Sequence, residues 1–236
     1  MDKSRLGGGT EAFLSWLSDW RESLEPKPLA DIVEDPGRTA VMIVDMVVGF
    51  CEEGPLAGPR VAGLVPVVVD LLEECHGAGI RRFCLLQDSH SENAAEFESF
   101  GPHCAAGTRE AETVGRIKAL PFFDLFELIE KNSISSAIGT GLGTWLDSNG
   151  EVDSFIIVGD CTDLCVYQLA MHLRLEANAI GRPRKVIVPS DCVQTYDMPV
   201  DRAREIGVTP HDGDLLHVVF LYHMALNGID VVAGVV

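Results

Sequence analysis

Basic residues are scarce in this 236-residue sequence: 18 lysines and arginines stand against 36 aspartates and glutamates, a formal net charge of −18. Without a basic stripe, the phosphate backbone of a nucleic acid is excluded as a partner, and an anionic membrane surface is disfavoured with it. No apolar run reaches the roughly 20 residues that cross a bilayer. The opening MDKSRLGGGT has no apolar h-region of the kind a secretory signal needs. Cysteines are also few: seven, odd in number and scattered, which does not suit a disulfide scaffold of this size. Together these absences predict a cytoplasmic protein with reduced thiols, acting on a small molecule rather than on nucleic acid or membrane. What is plentiful is apolar content, 47% against 23% charged. That is enough for one large domain with a generous core.

The first 38 residues read as an extension. Gly7 to Gly9 predict a flexible tip. Phe13, Leu14, Leu17, Trp20 and Leu24 then recur at helical spacing until Pro26 and Pro28 end the pattern, so an amphipathic helix docked on a neighbour is expected. From Thr39 to Val236 the rhythm is that of a single α/β domain. Short apolar runs at 40–44, 82–86, 154–159 and 185–189 lack alternation, as strands covered on both faces do. Helical patterns at 64–76, 140–146, 164–177 and 215–226 separate them, which implies βαβ units and a mostly parallel sheet flanked by helices.

Ligands of open parallel sheets bind beyond the carboxyl ends of the strands, so the residue that follows each strand is a functional test in itself. Asp45 follows the first run, Asp88 and His90 the second, and the turn DCTD followed by Cys165 the run at 154–159. Lys131 closes LFELIE. At a helix N-terminus the Cys165 thiol is favoured as thiolate and is a candidate nucleophile; a small buried hydrophobe is the plainer alternative. His172 lies seven residues further along the same helix, about 10 Å of rise, too far to be its base. Cys161 to Cys165 is CxxxC and not the CxxC of a dithiol redox site. A carboxylate such as Asp45 after a buried run needs a partner, and Lys131 would supply it, whether as a catalytic pair or as a structural one. FFDLFELIEK also fits an amphipathic helix with a solvated lysine. Asp88, His90 and His103 form a donor set for a divalent transition metal, with zinc, iron or manganese compatible and Glu96 or Glu98 as supplements; turn capping and surface histidines are the alternative. His211, His217 and His223 recur every six residues, which scatters them around a helix and offers no ligand face.

Asp45 with Phe50 in IVDMVVGF, Lys131 upstream of SSAIGTGL, and Cys165 in VGDCTDLCV resemble the Asp–Lys–Cys signature of the isochorismatase-like cysteine hydrolases. DSH…GPHCAAGT resembles the metal-binding stretch of the nicotinamidases within that superfamily, and VGDCTDLCVY with VIVPSDCVQTYDMP is especially similar to the plant-type ones. The resemblance runs from about residue 39 to at least residue 224. It implies a six-stranded parallel sheet flanked by helices and hydrolysis of a carboxamide, nicotinamide to nicotinic acid and ammonia, through a cysteine thioester. In that scheme Cys165 attacks, Asp45 carries the proton, and Lys131 stabilises charge. The backbone N–H groups of Cys161 and Cys165, beside a cis peptide at 160–161, hold the oxyanion. Asp88, His90 and His103 hold one divalent metal, zinc foremost, which orients the pyridine ring against Phe50. Ser89, Ala105, Ala106 and Ile138 depart from the family's usual bulkier residues and bear on pocket shape. Another amidase of the superfamily, taking a ureido, carbamoyl or maleamate-type substrate, is the alternative, and a non-catalytic α/β binding protein a more remote one. Oligomeric state stays open, a homo-oligomer included.

Overall fold

The computed structural model describes residues 9–236, so the expected flexible tip falls largely outside the described residues. Seven strands build one sheet: β1 (Thr39–Val44), β2 (Arg82–Asp88), β3 (Phe126–Lys131), β4 (Ser154–Asp160), β5 (Lys185–Pro189), the two-residue β6 (Val193–Gln194) and β7 (Asp230–Val232). The order is β3-β2-β1-β4-β5-β7, with β6 paired to the end of β4, and every pairing is parallel. This is the expected α/β fold with helices on both faces. The six-stranded sheet is augmented by β6, and β3 and β7 are its edges.

The apolar runs form strands because each must be covered twice. In β1, Val41 and Ile43 enter the layer that holds Val68 and Leu72 of α2 (Leu64–Gly77). Ala40, Met42 and Val44 enter the other layer. There they meet α3 (Leu142–Ser148), α4 (Cys165–Ile180) and α6 (Gly213–Leu226) through Trp145, Val166, Leu169 and Leu221. Burying each such side chain stabilises by about 1.5–3 kcal/mol before chain entropy is counted. The short α5 (Val200–Ile206) links the end of the sheet to α6.

The N-terminal helix α1 (Thr10–Glu22) packs against α6. Leu17 is buried, and Phe13, Trp16 and Trp20 surround the Tyr222 ring of α6 at 5.7, 5.3 and 5.7 Å between centroids. Further along, Lys27 N–H donates to the Gly234 carbonyl at 3.0 Å, so the segment before β1 is tied to the C-terminal segment.

The chain winds from β1 outward through β2 to β3, then returns to β4 on the other side of β1. The strand order therefore reverses between β1 and β4, which in open parallel sheets is where the ligand crevice opens. The two strands approach closely there. Gly159 has φ +112° and pairs with Val44, and a Cβ at 159 would fall inside the van der Waals shell of the Val44 carbonyl oxygen, so only glycine fits.

Candidate active site

At this switch point the ends of four elements converge. Asp45 follows β1 in the left-handed region at φ 52°, a conformation that aspartate tolerates better than most residues. It is pinned there by its own N–H, which donates to the Leu86 carbonyl at 2.9 Å, and by the Asp88 N–H, which donates to Asp45 Oδ1 at 2.8 Å. Lys131 ends β3, in register beside Asp88 at the end of β2. Its segment is a strand and not an amphipathic helix, and its ammonium is turned inward: Lys131 is 2% exposed. The reason is electrostatic. Lys131 Nζ lies 2.8 Å from Asp45 Oδ2 and 3.5 Å from Cys165 Sγ, and it also donates to Asp88 Oδ1. A buried ammonium with fewer anionic partners would not survive desolvation. Carboxylate oxygens of Asp45 and Asp88 and the sulfur of Cys165 all lie within 4.8 Å of one another.

Charge in this cluster divides unevenly. Burial raises the Asp45 carboxyl, Asp88 raises it further, and Lys131 only partly offsets them, so it titrates at about 6. Burial opposes ionisation of Asp88 as well, but Lys131 and the two imidazoles outweigh it and hold that carboxyl well below the usual range. Lys131 is driven the other way: the carboxylates of Asp45 and Asp88, with any negative charge on the Cys165 sulfur, overcome burial and keep it an ammonium. Cys165 departs from expectation. Burial, aided by both carboxylates, pushes its thiol up despite Lys131, which favours the thiol over the thiolate expected from the helix N-terminus. A thiol beside a carboxylate that titrates near 6 has its proton acceptor at hand.

Asp88 Oδ2 faces the opposite way, 3.4 Å from His90 Nε2 and 3.8 Å from His103 Nε2. Both outer ring nitrogens are already engaged: His90 Nδ1 with Asn132 Oδ1 at 3.3 Å, and His103 Nδ1 with the Gly101 carbonyl at 2.8 Å. Each Nδ1 donates outward, which leaves the Nε2 lone pairs aimed at one point beside Asp88 Oδ2. His90 Nε2 is buried and makes no hydrogen bond. An orphaned imidazole nitrogen, a second imidazole and a carboxylate oxygen on one point fit a divalent transition metal, and the outer hydrogen bonds are those that orient ligating histidines. Glu96 Oε2 instead accepts from the Ile134 N–H at 3.0 Å and Glu98 is exposed, so the supplementary ligands are not in place. Asn132 escaped the reading of the sequence, although its position directly after Lys131 at a strand end is the signal that marks it.

Phe50 lies in a single helical turn after β1, with its ring 5.7 Å from that of His103. The peptide between Asp160 and Cys161 is cis. The backbone N–H groups of Cys161 and Cys165 donate to no protein acceptor among the described residues. Arg60 is spent on Asp214, Gln194 and the Thr195 carbonyl, and Arg109 pairs with Glu52 and Glu53. All seven cysteines are free. The three late histidines do not behave as one helical set. His211 precedes α6, whereas His217 and His223 lie on it, and all three have polar partners: Asp163, Thr162 and the Tyr167 hydroxyl.

The isochorismatase domain pattern matches residues 39–206, and the chain belongs to that family. It is 29% identical over 227 residues to nicotinamidase 1 of Arabidopsis thaliana, covering 89% of this chain and 91% of that protein. Among solved structures, the pyrazinamidase of Pyrococcus horikoshii in complex with zinc superposes with a TM-score of 0.63 at 25% identity, covering 83% of this chain and 98% of that one. The N-carbamoylsarcosine amidase of Thermoplasma acidophilum does so with a TM-score of 0.60 at 25% identity, covering 83% and 95%. The protein is a cysteine-dependent amidohydrolase of the nicotinamidase-like type. Among the described residues no helix is long and apolar enough to cross a membrane.

Proposed function

We propose that the protein hydrolyses the carboxamide of nicotinamide to nicotinic acid and ammonia, with residues 39–236 as the catalytic unit and residues 1–38 as an extension. The observation that carries this reading is the position of Lys131, which joins Asp45 and Cys165 on one side to Asp88 of the candidate metal set on the other. A neutral substrate also suits a site near which Arg60 and Arg109 are paired with carboxylates; maleamate- or ureido-type acids would need a free cation.

In the proposed reaction Asp45 takes the Cys165 proton as the sulfur attacks the carboxamide carbon, and Lys131 offsets the charge that moves between them. The tetrahedral oxyanion accepts from the free N–H groups of Cys161 and Cys165. Asp45 returns the proton to the nitrogen, the C–N bond breaks, and ammonia leaves a thioester. Water, giving its proton to Asp45, cleaves the thioester and releases the acid, and the proton goes back to sulfur. Asp88, His90 and His103 would hold the metal, zinc foremost with iron or manganese compatible, and it would supply a Lewis-acidic anchor for the pyridine nitrogen. Phe50 packs against the ring.

Ammonia release from nicotinamide, pyrazinamide and ureidoacrylate, measured with the native protein and with Cys165→Ala, tests this. The expected result is turnover of the two aromatic amides and none by the variant. Activity that survives in Cys165→Ala overturns the thioester route, and turnover of ureidoacrylate alone overturns the substrate.

A further inference from the structure

The turn between β4 and α4 is held by two histidines that the reaction above does not use. Thr162 Oγ1 lies 2.9 Å from His217 Nδ1, and Asp163 Oδ2 lies 2.7 Å from His211 Nε2; all four side chains are buried. His211 is fixed from several sides. Its backbone exchanges hydrogen bonds of 2.9 and 2.7 Å with Met198, its ring stacks on Tyr196 with 3.9 Å between centroids, and Nδ1 lies 2.9 Å from the Tyr196 carbonyl oxygen. A carbonyl only accepts, so Nδ1 carries a proton. Nε2 then faces a carboxylate oxygen, and a contact of 2.7 Å needs one proton between them. If that proton is lost, two sets of lone pairs oppose each other in a buried site.

Asp163 lies two residues after Cys161 and two before Cys165, inside the turn that carries both free N–H groups and the sulfur. We propose that the Asp163–His211 hydrogen bond is a latch that positions the Cys161–Cys165 turn for catalysis. The proposal rests on Cys165 as nucleophile, not on nicotinamide as substrate. Asp163 and His211 touch no reacting atom, so both are positioning residues.

The other groups facing the latch are spoken for. On the strand side, burial raises the Cys161 thiol and the Asp160 carboxyl, and pushes the Tyr196 phenol up to about 12. From α6, burial, aided by Arg21 and Arg60, pushes His217 down to about 4, so it bonds Thr162 as a neutral ring. Asp214 of the same helix pairs with Arg60 at 2.8 Å, and Asp197 accepts from the Gly213 N–H at 2.9 Å.

Asp163→Asn isolates the proton from the bond. An asparagine amide donates to the Nε2 lone pair of a neutral His211 ring, so the hydrogen bond survives without a shared proton. The expected result is that Asp163→Asn keeps kcat within a few-fold of native, while His211→Phe, which keeps the stack on Tyr196, loses about 10- to 100-fold in kcat with little change in KM. A kcat as low in Asp163→Asn as in His211→Phe overturns the proposal, as does native kcat in His211→Phe. The alkylation rate of Cys165 by iodoacetamide, followed by peptide mass, is read on the same samples and needs no substrate. If nicotinamide is not turned over, the substrate reading fails, and the alkylation rates of Asp163→Asn and His211→Phe against native still decide the latch. Should His211→Phe not fold, nitrogen NMR of histidine in the native protein decides it: His211 Nε2 must give the signal of a nitrogen that shares a proton, and the signal of a free lone pair overturns the latch.

Discussion

The backbone N–H of Asp88 donates to Oδ1 of Asp45 at 2.8 Å, so the strand end that carries a candidate metal ligand also holds the candidate proton carrier. Lys131 completes the connection from β3. The three side chains are buried together, which makes Lys131 as much a structural group as a chemical one.

Replacing it separates the two roles poorly but tests both. Lys131→Met leaves two carboxylates buried without their cation, and loss of one member of a buried pair costs about 3–5 kcal/mol. One carboxylate will take up a proton, which limits the loss and removes the proton acceptor. The expected outcome is a urea midpoint lowered by at least about 2 kcal/mol equivalent and kcat reduced by about 100-fold or more. Native stability in the variant would show that Lys131 does not offset Asp45 and Asp88.

The pH dependence follows from Asp45. Only the ionised carboxylate accepts the thiol proton, and this carboxyl titrates at about 6. Below that value kcat/KM falls as pH falls, approaching about tenfold per unit. The sign for stability is opposite. Asp45 binds its proton more tightly folded than unfolded, so between about pH 4 and about pH 6 its contribution favours the fold more at the acid end. Asp88, held low, contributes stability that is present above about pH 4 and lost as pH falls through its folded value. A kcat/KM profile that is flat from about pH 5 to about pH 7 contradicts the role given to Asp45.

The four inner strands were legible because burial on both faces leaves an unbroken apolar run, as in Val41–Val44 and Phe155–Val158. β3 was ambiguous for the converse reason. At the sheet edge it exposes Glu127, Leu128 and Glu130 while burying Ile129 and Lys131, and so mimics a helical face. Three-residue β7 is too short to show a period. In the site, Asp45, Asp88 and Cys165 were marked by standing at strand and helix ends. Asp163 and His211 were not, because 48 residues separate partners that only the docking of the segment before α6 brings together.

Metal binding gives a test that does not depend on turnover. His103→Ala removes one of three converging donors and should purify with far less than one transition metal per chain by elemental analysis. Asn132→Ala touches no metal directly. It frees the His90 Nδ1 and the Ser91 N–H, both of which meet Asn132 Oδ1, and should weaken metal affinity by about 10- to 100-fold in a chelator competition. Unchanged affinity in Asn132→Ala would mean that His90 is oriented by packing alone, for instance by the edge of the Phe97 ring 5.4 Å away.

The close approach of β1 and β4 is a separate liability. Gly159 combines φ +112° with a backbone carbonyl where its Cβ would be, and neither the Val44 oxygen nor the Gly159 N–H, which donates to the Cys192 carbonyl at 2.9 Å, has room to retreat within a paired sheet. Gly159→Ala must therefore part the two strands at the switch point. A loss of at least about 3 kcal/mol in urea unfolding is expected, at the upper end of what overpacking costs. Because Asp160, Cys161 and the nucleophile turn follow directly, any folded fraction should also show kcat reduced more than KM. A variant with native stability and native kcat would show that β1 and β4 part at no cost, which a sheet paired on both sides of each strand does not allow.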